Sequence, residues 1–333
     1  MEEFKQKKND LIVSAHELMV NALTQKAIPC PTEPLEMKIT VQGGVGTAEE
    51  HEFLLENYQV DSIGWGSPFL LVPEATSVDK DTRDLLKKAK ENDFYLSNIS
   101  PLGIPFNTIK GTTNEFFKQQ KKLNNKAGSS CPKKYLALSK EFSPEGICTA
   151  SRKYQTVKLN DLEGVKDEIS TAEYDKRITK ITEKSCLCVG LVNSSYLESE
   201  IPIKGEKQGV VVCPGPNLAY FDKEVSLNNM VKHIYGKVNV MPEQNRPNMF
   251  VNELKMYVDY LKNEIEEFSD SFTNAQTKKW KTFKNNLIEG VNYYETLFAE
   301  TSFFKNNVEM VKFQLADYKS KISGLEIPEN VKV

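Results

Sequence analysis

Long apolar runs are missing from this chain: nothing approaches the roughly 18 consecutive residues of a membrane helix. The charged segment Met1 to Asp10 leads into Leu11-Ile12-Val13, too short for the apolar centre of a signal peptide. An excess of either charge is missing too. The sequence has 43 Lys and Arg against 46 Asp and Glu, which gives no general reason to expect nucleic acid as a partner. Cysteine is sparse and scattered, at positions 30, 131, 148, 186, 188 and 213. That excludes a disulfide-stapled secreted scaffold and favours free thiols in a cytoplasmic protein. With 17 Gly and 15 Pro in 333 residues, a collagen-like fibre is excluded as well. No internal repeat is visible. The apolar content of 39% is enough to bury real cores, in about two units on the basis of length.

What is present falls into three stretches. Residues 1–110 alternate between helix and strand patterns. A helical segment around His16 to Gln25 ends before Pro31, and a strand is expected over Met37 to Gln42. After the turn Gly43-Gly44-Val45-Gly46, Thr47 with Glu50 three residues on has capping-box spacing. A second strand over Ser62 to Trp65 runs into Gly66-Ser67-Pro68, a helix is expected over Asp79 to Glu91, and an extended piece over Phe94 to Leu96. Strand, glycine turn, helix, strand is the pattern of a parallel sheet.

Residues 111–240 form an irregular, cysteine-containing region. Lys118 to Lys126 reads as a solvated loop, Leu187 to Val192 and Gly209 to Cys213 as β-type runs, and Pro214-Gly215-Pro216-Asn217 as a turn. Residues 241–333 read as helical. Three apolar stripes step by three or four: Phe250 to Phe268, Trp280 to Phe298, and Phe304 to Ile322. Joined by short polar turns, they imply an antiparallel bundle.

Chemistry concentrates at the two glycine turns. Glycine lets the backbone approach a ligand closely, and amides backed by a helix N-terminus suit a phosphate. Gly43 and Gly44 close one strand; Gly66 and Ser67 close the next, about 22 residues later. In (β/α)8 barrels the loops after the last two strands commonly hold such a phosphate. Neither a P-loop nor a GxGxxG turn is present.

At these residues the sequence resembles a known family. Val41-Gln42-Gly43-Gly44-Val45-Gly46-Thr47 and Asp61 to Leu70 are similar to the seventh and eighth βα units of nitronate monooxygenases (2-nitropropane dioxygenases), which are FMN-dependent TIM barrels. Pro73-Glu74-Ala75 resembles the segment after the last barrel strand. Ser100-Pro101-Leu102-Gly103-Ile104-Pro105 with Thr108-Ile109-Lys110 resembles the stretch that follows. Cys131-Pro132-Lys133, Gly146 to Ala150 and Cys186 to Ser195 are more distantly similar, and nothing beyond residue 200 resembles the family.

The resemblance implies an α/β fold comprising the C-terminal part of a (β/α)8 barrel, an oxidoreductase activity with FMN as cofactor, and a small-molecule substrate. By position, Gly43, Gly44, Gly66 and Ser67 would hold the FMN phosphate. FMN-dependent enoyl reductases are relatives of that family. A complete barrel needs about 250 residues, so six strands, the flavin-ring contacts and the catalytic base would lie outside this polypeptide. A partner chain or a second copy would have to complete the barrel, and the isolated chain is expected to associate or to be poorly soluble. The alternative is a non-catalytic interaction module derived from the barrel.

The histidines supply no obvious base. His51 is expected on the outer surface of the helix after the glycine turn, and His16 and His233 in structural roles. Cys186-x-Cys188 lacks zinc-knuckle spacing, and the other intervals of 17, 38 and 25 residues match no iron–sulfur framework. Buried free thiols, with no metal, are the expectation.

Overall fold

The computed structural model describes residues 1–131, 133–203, 207–241, 246–268 and 272–328. Helix α1 (Glu2–Gln6) and α2 (Lys8–Gln25) precede strand β1 (Thr40–Gln42), α3 (Ala48–Tyr58) and β2 (Ser62–Gly64). Next come α4 (Lys80–Lys88), β3 (Phe94–Ser97), β4 (Phe106–Ile109) and α5 (Thr113–Leu123). Helices α6 (Arg152–Gly164), α7 (Thr171–Thr182), α8 (Leu187–Glu198) and α9 (Leu227–Ile234) follow, then α10 (Met249–Glu267), α11 (Asn274–Glu300) and α12 (Val308–Ser323).

The fold is α/β with far more helix than strand. Its strands make one parallel pair, β1 with β2, and one antiparallel pair, β3 with β4. No closed barrel exists among the described residues. Nor is any described helix long and apolar enough to cross a membrane.

Two compact units result. The first comprises Met1–Trp65, Ile234–Gly236 and Asn245–Val333; the second comprises Gly66–His233 and Lys237–Gln244. Residues 1–65 thus share a unit with the C-terminal helices, whereas the sequence pattern alone suggests boundaries near 110 and 240.

In the first unit, β1, α3 and β2 form a βαβ element whose register runs from Thr40↔Ser62 to Gln42↔Gly64. The α3 side chains Phe53 and Leu54 are fully buried and join a core with Phe250, Leu254, Leu261, Trp280, Val291 and Leu315. Phe53 meets Phe250, Tyr58, Phe303 and Phe304 edge-on, at centroid distances of 5.2–5.7 Å. Such edge-to-face pairs add to the area that burial removes from water.

The three stripes form α10, α11 and α12 as expected, and they pack antiparallel. Glu264, late in α10, accepts from the indole of Trp280, early in α11. Lys284 of α11 reaches the carbonyls of Ser323 and Leu325, while Glu295 meets Lys319. Two details differ from the stripes: Tyr257 is half exposed with the neighbouring Val258 turned inward, and Phe304 is buried ahead of α12, with a left-handed φ of +61°, rather than within it.

In the second unit the β3–β4 hairpin pairs Phe94↔Ile109 through Ser97↔Phe106. Two sequence-based expectations are corrected here. Leu187 to Val192 is the first half of α8, not a strand; a short apolar run fits a buried helix as well as a strand until its length is known. Lys118 to Lys126 is not a solvated loop, because α5 extends through Leu123. Lys118 donates to the carbonyl of Glu183, and burial lowers the pKa of its ammonium.

Gly209 to Cys213, expected as a β-type run, forms no strand, and Gly209 takes a left-handed φ of +69°. Val211 N–H donates to the Gly190 carbonyl of α8, and Val210 N–H to the Thr113 hydroxyl. These partners satisfy backbone groups that a buried segment cannot leave unpaired.

Candidate phosphate site

The parallel register places the C-terminal ends of β1 and β2 level, Gln42 opposite Gly64. Gly43 and Gly44 then turn the chain with φ of +112° and +73°, a region closed to most side chains. Both are exposed. A side chain placed on Gly43 would meet no atom within 4 Å, so this backbone is open to an approaching group.

Thr47 caps α3 as its spacing with Glu50 predicts. The hydroxyl accepts from Glu50 N–H at 3.2 Å, and the Glu50 carboxylate accepts from Thr47 N–H at 3.2 Å. The carboxylate does more than this box requires. It also accepts from Gly46 N–H at 2.8 Å and from Met249 N–H, the first residue of α10, at 2.6 Å. Arg246 completes the arrangement with one nitrogen 2.6 Å from Oε1 and the other 3.1 Å from Oε2. The same guanidinium donates to the Gly44 carbonyl at 3.1 Å. Glu50 is 1% exposed.

Helix N-termini attract anions through their unpaired amides and dipoles. Here the chain's own carboxylate serves two of them, α3 and α10. The amides of Gly46 and Thr47 are therefore engaged already, and the part of the turn that suits a phosphate is Gly43-Gly44. Nothing in the local sequence announces Arg246, which lies 196 positions from its partner.

His51 lies nearer the strand ends than expected. Trp65, one residue past β2, donates its indole N–H to His51 Nδ1 at 3.0 Å, and Tyr235 meets the ring edge-on. With Nδ1 accepting, the neutral ring carries its proton on Nε2. Burial lowers its pKa from 6.5, against an opposing pull from Glu52. At neutral pH His51 is therefore a hydrogen-bond donor. The lone pair a base would need is committed to Trp65.

In the second unit Gly66 is exposed and open, and it precedes a short 3-10 turn, Ser67–Leu71. Ser67 Oγ accepts from Gly215 N–H at 2.7 Å, which fixes the Pro214-Gly215-Pro216 turn and leaves the hydroxyl hydrogen as what Ser67 can offer. His233 is buried, with Phe221 edge-on and Val240 N–H donating to its Nδ1. All six cysteines are free thiols. Pro132, within the Cys131 segment, lies outside the described residues.

Comparison with protein-family models, with curated proteins and with solved structures found no match.

Proposed function

We propose that this chain is the FMN-binding, C-terminal part of an oxidoreductase of the nitronate monooxygenase type, completed by strands from another chain or copy. One observation carries the reading: the β1–α3–β2 unit, with level strand ends and an open, left-handed Gly43-Gly44 at the first of them. Among the described residues no third strand pairs with β1 or β2. Parallel strands are ordinarily buried within larger sheets, so the lone pair supports a sheet that continues elsewhere.

Gly43 and Gly44 would hold the phosphate through their backbone. FMN supplies the redox chemistry when bound, and the protein positions it. The substrate is a small molecule, a nitroalkane in the resembled family or an enoyl thioester in its reductase relatives.

A second reading, a non-catalytic interaction module, is favoured by the internal closure of the α3 N-terminus by Glu50 and Arg246. Titrating FMN and riboflavin with the purified chain, followed by flavin fluorescence, separates the two. The flavin reading expects quenching by FMN and at least about tenfold weaker binding of riboflavin, a difference of about 1.4 kcal/mol from the phosphate. Equal affinities, or no quenching at all, favour the interaction module.

A further inference from the structure

Four cysteines that the sequence scatters over 58 positions converge in the second unit. Two backbone hydrogen bonds and one buried side-chain bridge bring their segments together. Residues 129–131 run beside 148–152: Ser129 N–H donates to the Ala150 carbonyl at 3.0 Å, and Arg152 N–H donates back to the Ser129 carbonyl at 2.8 Å. Gly128 makes this approach feasible, because a side chain there would lie 2.7 Å from Arg152 N. The third segment is tied in by Gln155 of α6, which is fully buried. Its amide donates to the carbonyl of Thr149, next to Cys148, and to that of Lys184, two residues before Cys186.

The thiols follow their backbones. Cys148 lies within electrostatic reach of Cys131, Cys186 and Cys188, and Cys186 within reach of Cys131 and Cys188. Cys213, although in the same unit, interacts with none of them. Cys148 and Cys186 are each 5% exposed, and all four are unbridged.

The surroundings suit negative sulfur. Cys186 is the N-cap of α8 and Cys188 lies in its first turn, where the helix dipole favours an anion. The backbone N–H groups of Val189 and Ala150 favour the thiolates of Cys186 and Cys148, respectively. Lys121 of α5 adds a positive charge near Cys186. Backbone N–H to sulfur bonds of this kind stabilise thiolate ligands and tune the centre they hold. Burial opposes this at the two buried thiols, raising the pKa of Cys186 and pushing that of Cys148 up to about 12.

We propose that Cys131, Cys148, Cys186 and Cys188 ligate an iron–sulfur cluster of the four-iron, four-sulfide class. Spacing selects a cluster over a single ion. Among the described residues, no three His, Cys, Asp or Glu side chains are grouped closely enough to share one metal ion. A cubane binds each thiolate at a different iron and so accepts a wider arrangement. Four cysteines are its usual ligand set, and metal binding displaces the thiol protons. The proposal is independent of the flavin reading, since its ligands, readouts and variants are all different.

The test is anaerobic purification of the full chain, followed by reconstitution with equal amounts of ferric and ferrous iron and with sulfide, which supply the two ferric and two ferrous ions of the core. The account expects about four iron and four sulfide per chain, a broad visible charge-transfer absorption, and an electron paramagnetic signal after dithionite reduction. Cys131→Ser, Cys148→Ser, Cys186→Ser and Cys188→Ser should each lose most of the iron, while Cys30→Ser and Cys213→Ser keep it. Because a serine variant can fail by misfolding, alkylation of the unmutated protein supplies a second readout. Loading should shield Cys131 and Cys188, the two of the four that are not buried, from iodoacetamide and leave Cys30 and Cys213 reactive. One equivalent of zinc with no iron, absence of iron after reconstitution, or iron retained by all four serine variants each overturns the proposal.

Discussion

Arg246 grips Glu50 through both guanidinium nitrogens, at 2.6 and 3.1 Å, with the two side chains 7% and 1% exposed. A buried ion pair of this kind is costly to break from one side, because the remaining charge is left without water or a counter-charge. Five hydrogen bonds converge on one carboxylate here, and two helices begin at it.

Removing one partner should therefore unfold the first unit readily. Arg246→Ala is expected to cost about 3–5 kcal/mol in urea denaturation. The double variant Glu50→Gln, Arg246→Met should cost less than the sum of the single changes, because each side chain's loss removes the other's need for it. Additive losses would mean that the pair is not coupled.

Aromatic packing around Phe53 makes a sharper prediction about the core. Its ring is fully buried against four others. Phe53→Ala should destabilise by about 3–5 kcal/mol. Tyr257→Ala, at a stripe position that the fold leaves 46% exposed, should cost well under half of that. Thermal melts of the two variants measure the contrast.

How much of this was legible in the sequence can be seen residue by residue. The Thr47–Glu50 cap and the helices α10 to α12 follow from local spacing and period, which neighbours along the chain determine. The helix α8 did not, because Leu187 to Val192 is apolar all round and so carries no period. Arg246 and the convergence of Cys131, Cys148, Cys186 and Cys188 were invisible for another reason. Each depends on long-range backbone contacts, such as the two bonds of Gln155, that no spacing rule encodes. At the candidate phosphate site the glycines were legible as a turn, but the occupation of the helix amides by Glu50 was only half visible, as a capping box.

The pH dependence of the first unit should include a contribution from His51. Burial holds its folded pKa below 6.5. The unfolded chain therefore takes up a proton first as pH falls, so this contribution is fully present above about 6.5 and is lost as pH drops through the folded value. His51→Gln should flatten that part of the stability profile. Trp65→Phe removes a hydrogen bond that favours the neutral ring, and should move the His51 titration, followed by proton NMR, upward towards 6.5.

Glu264 acts in the opposite pH range. Burial raises its pKa, but bonds from Tyr260, Trp280 and Lys279 outweigh that and lower it below 4.5. Its contribution is present above the unfolded value and is lost as pH falls through the folded one. Glu264→Gln should therefore reduce stability at pH 7 and narrow the gap to the unmutated chain under acid conditions. An unchanged gap across pH 3–7, by urea denaturation, would contradict this.

The backbone at Gly43-Gly44 decides the functional account. Amide NMR of the isotope-labelled chain, titrated with FMN, reads it directly. The account predicts that the Gly43 and Gly44 cross-peaks shift with FMN occupancy, that the phosphorus resonance of the flavin moves with them, and that riboflavin reproduces neither change. Unmoved glycine resonances at flavin concentrations that saturate any binding would contradict it.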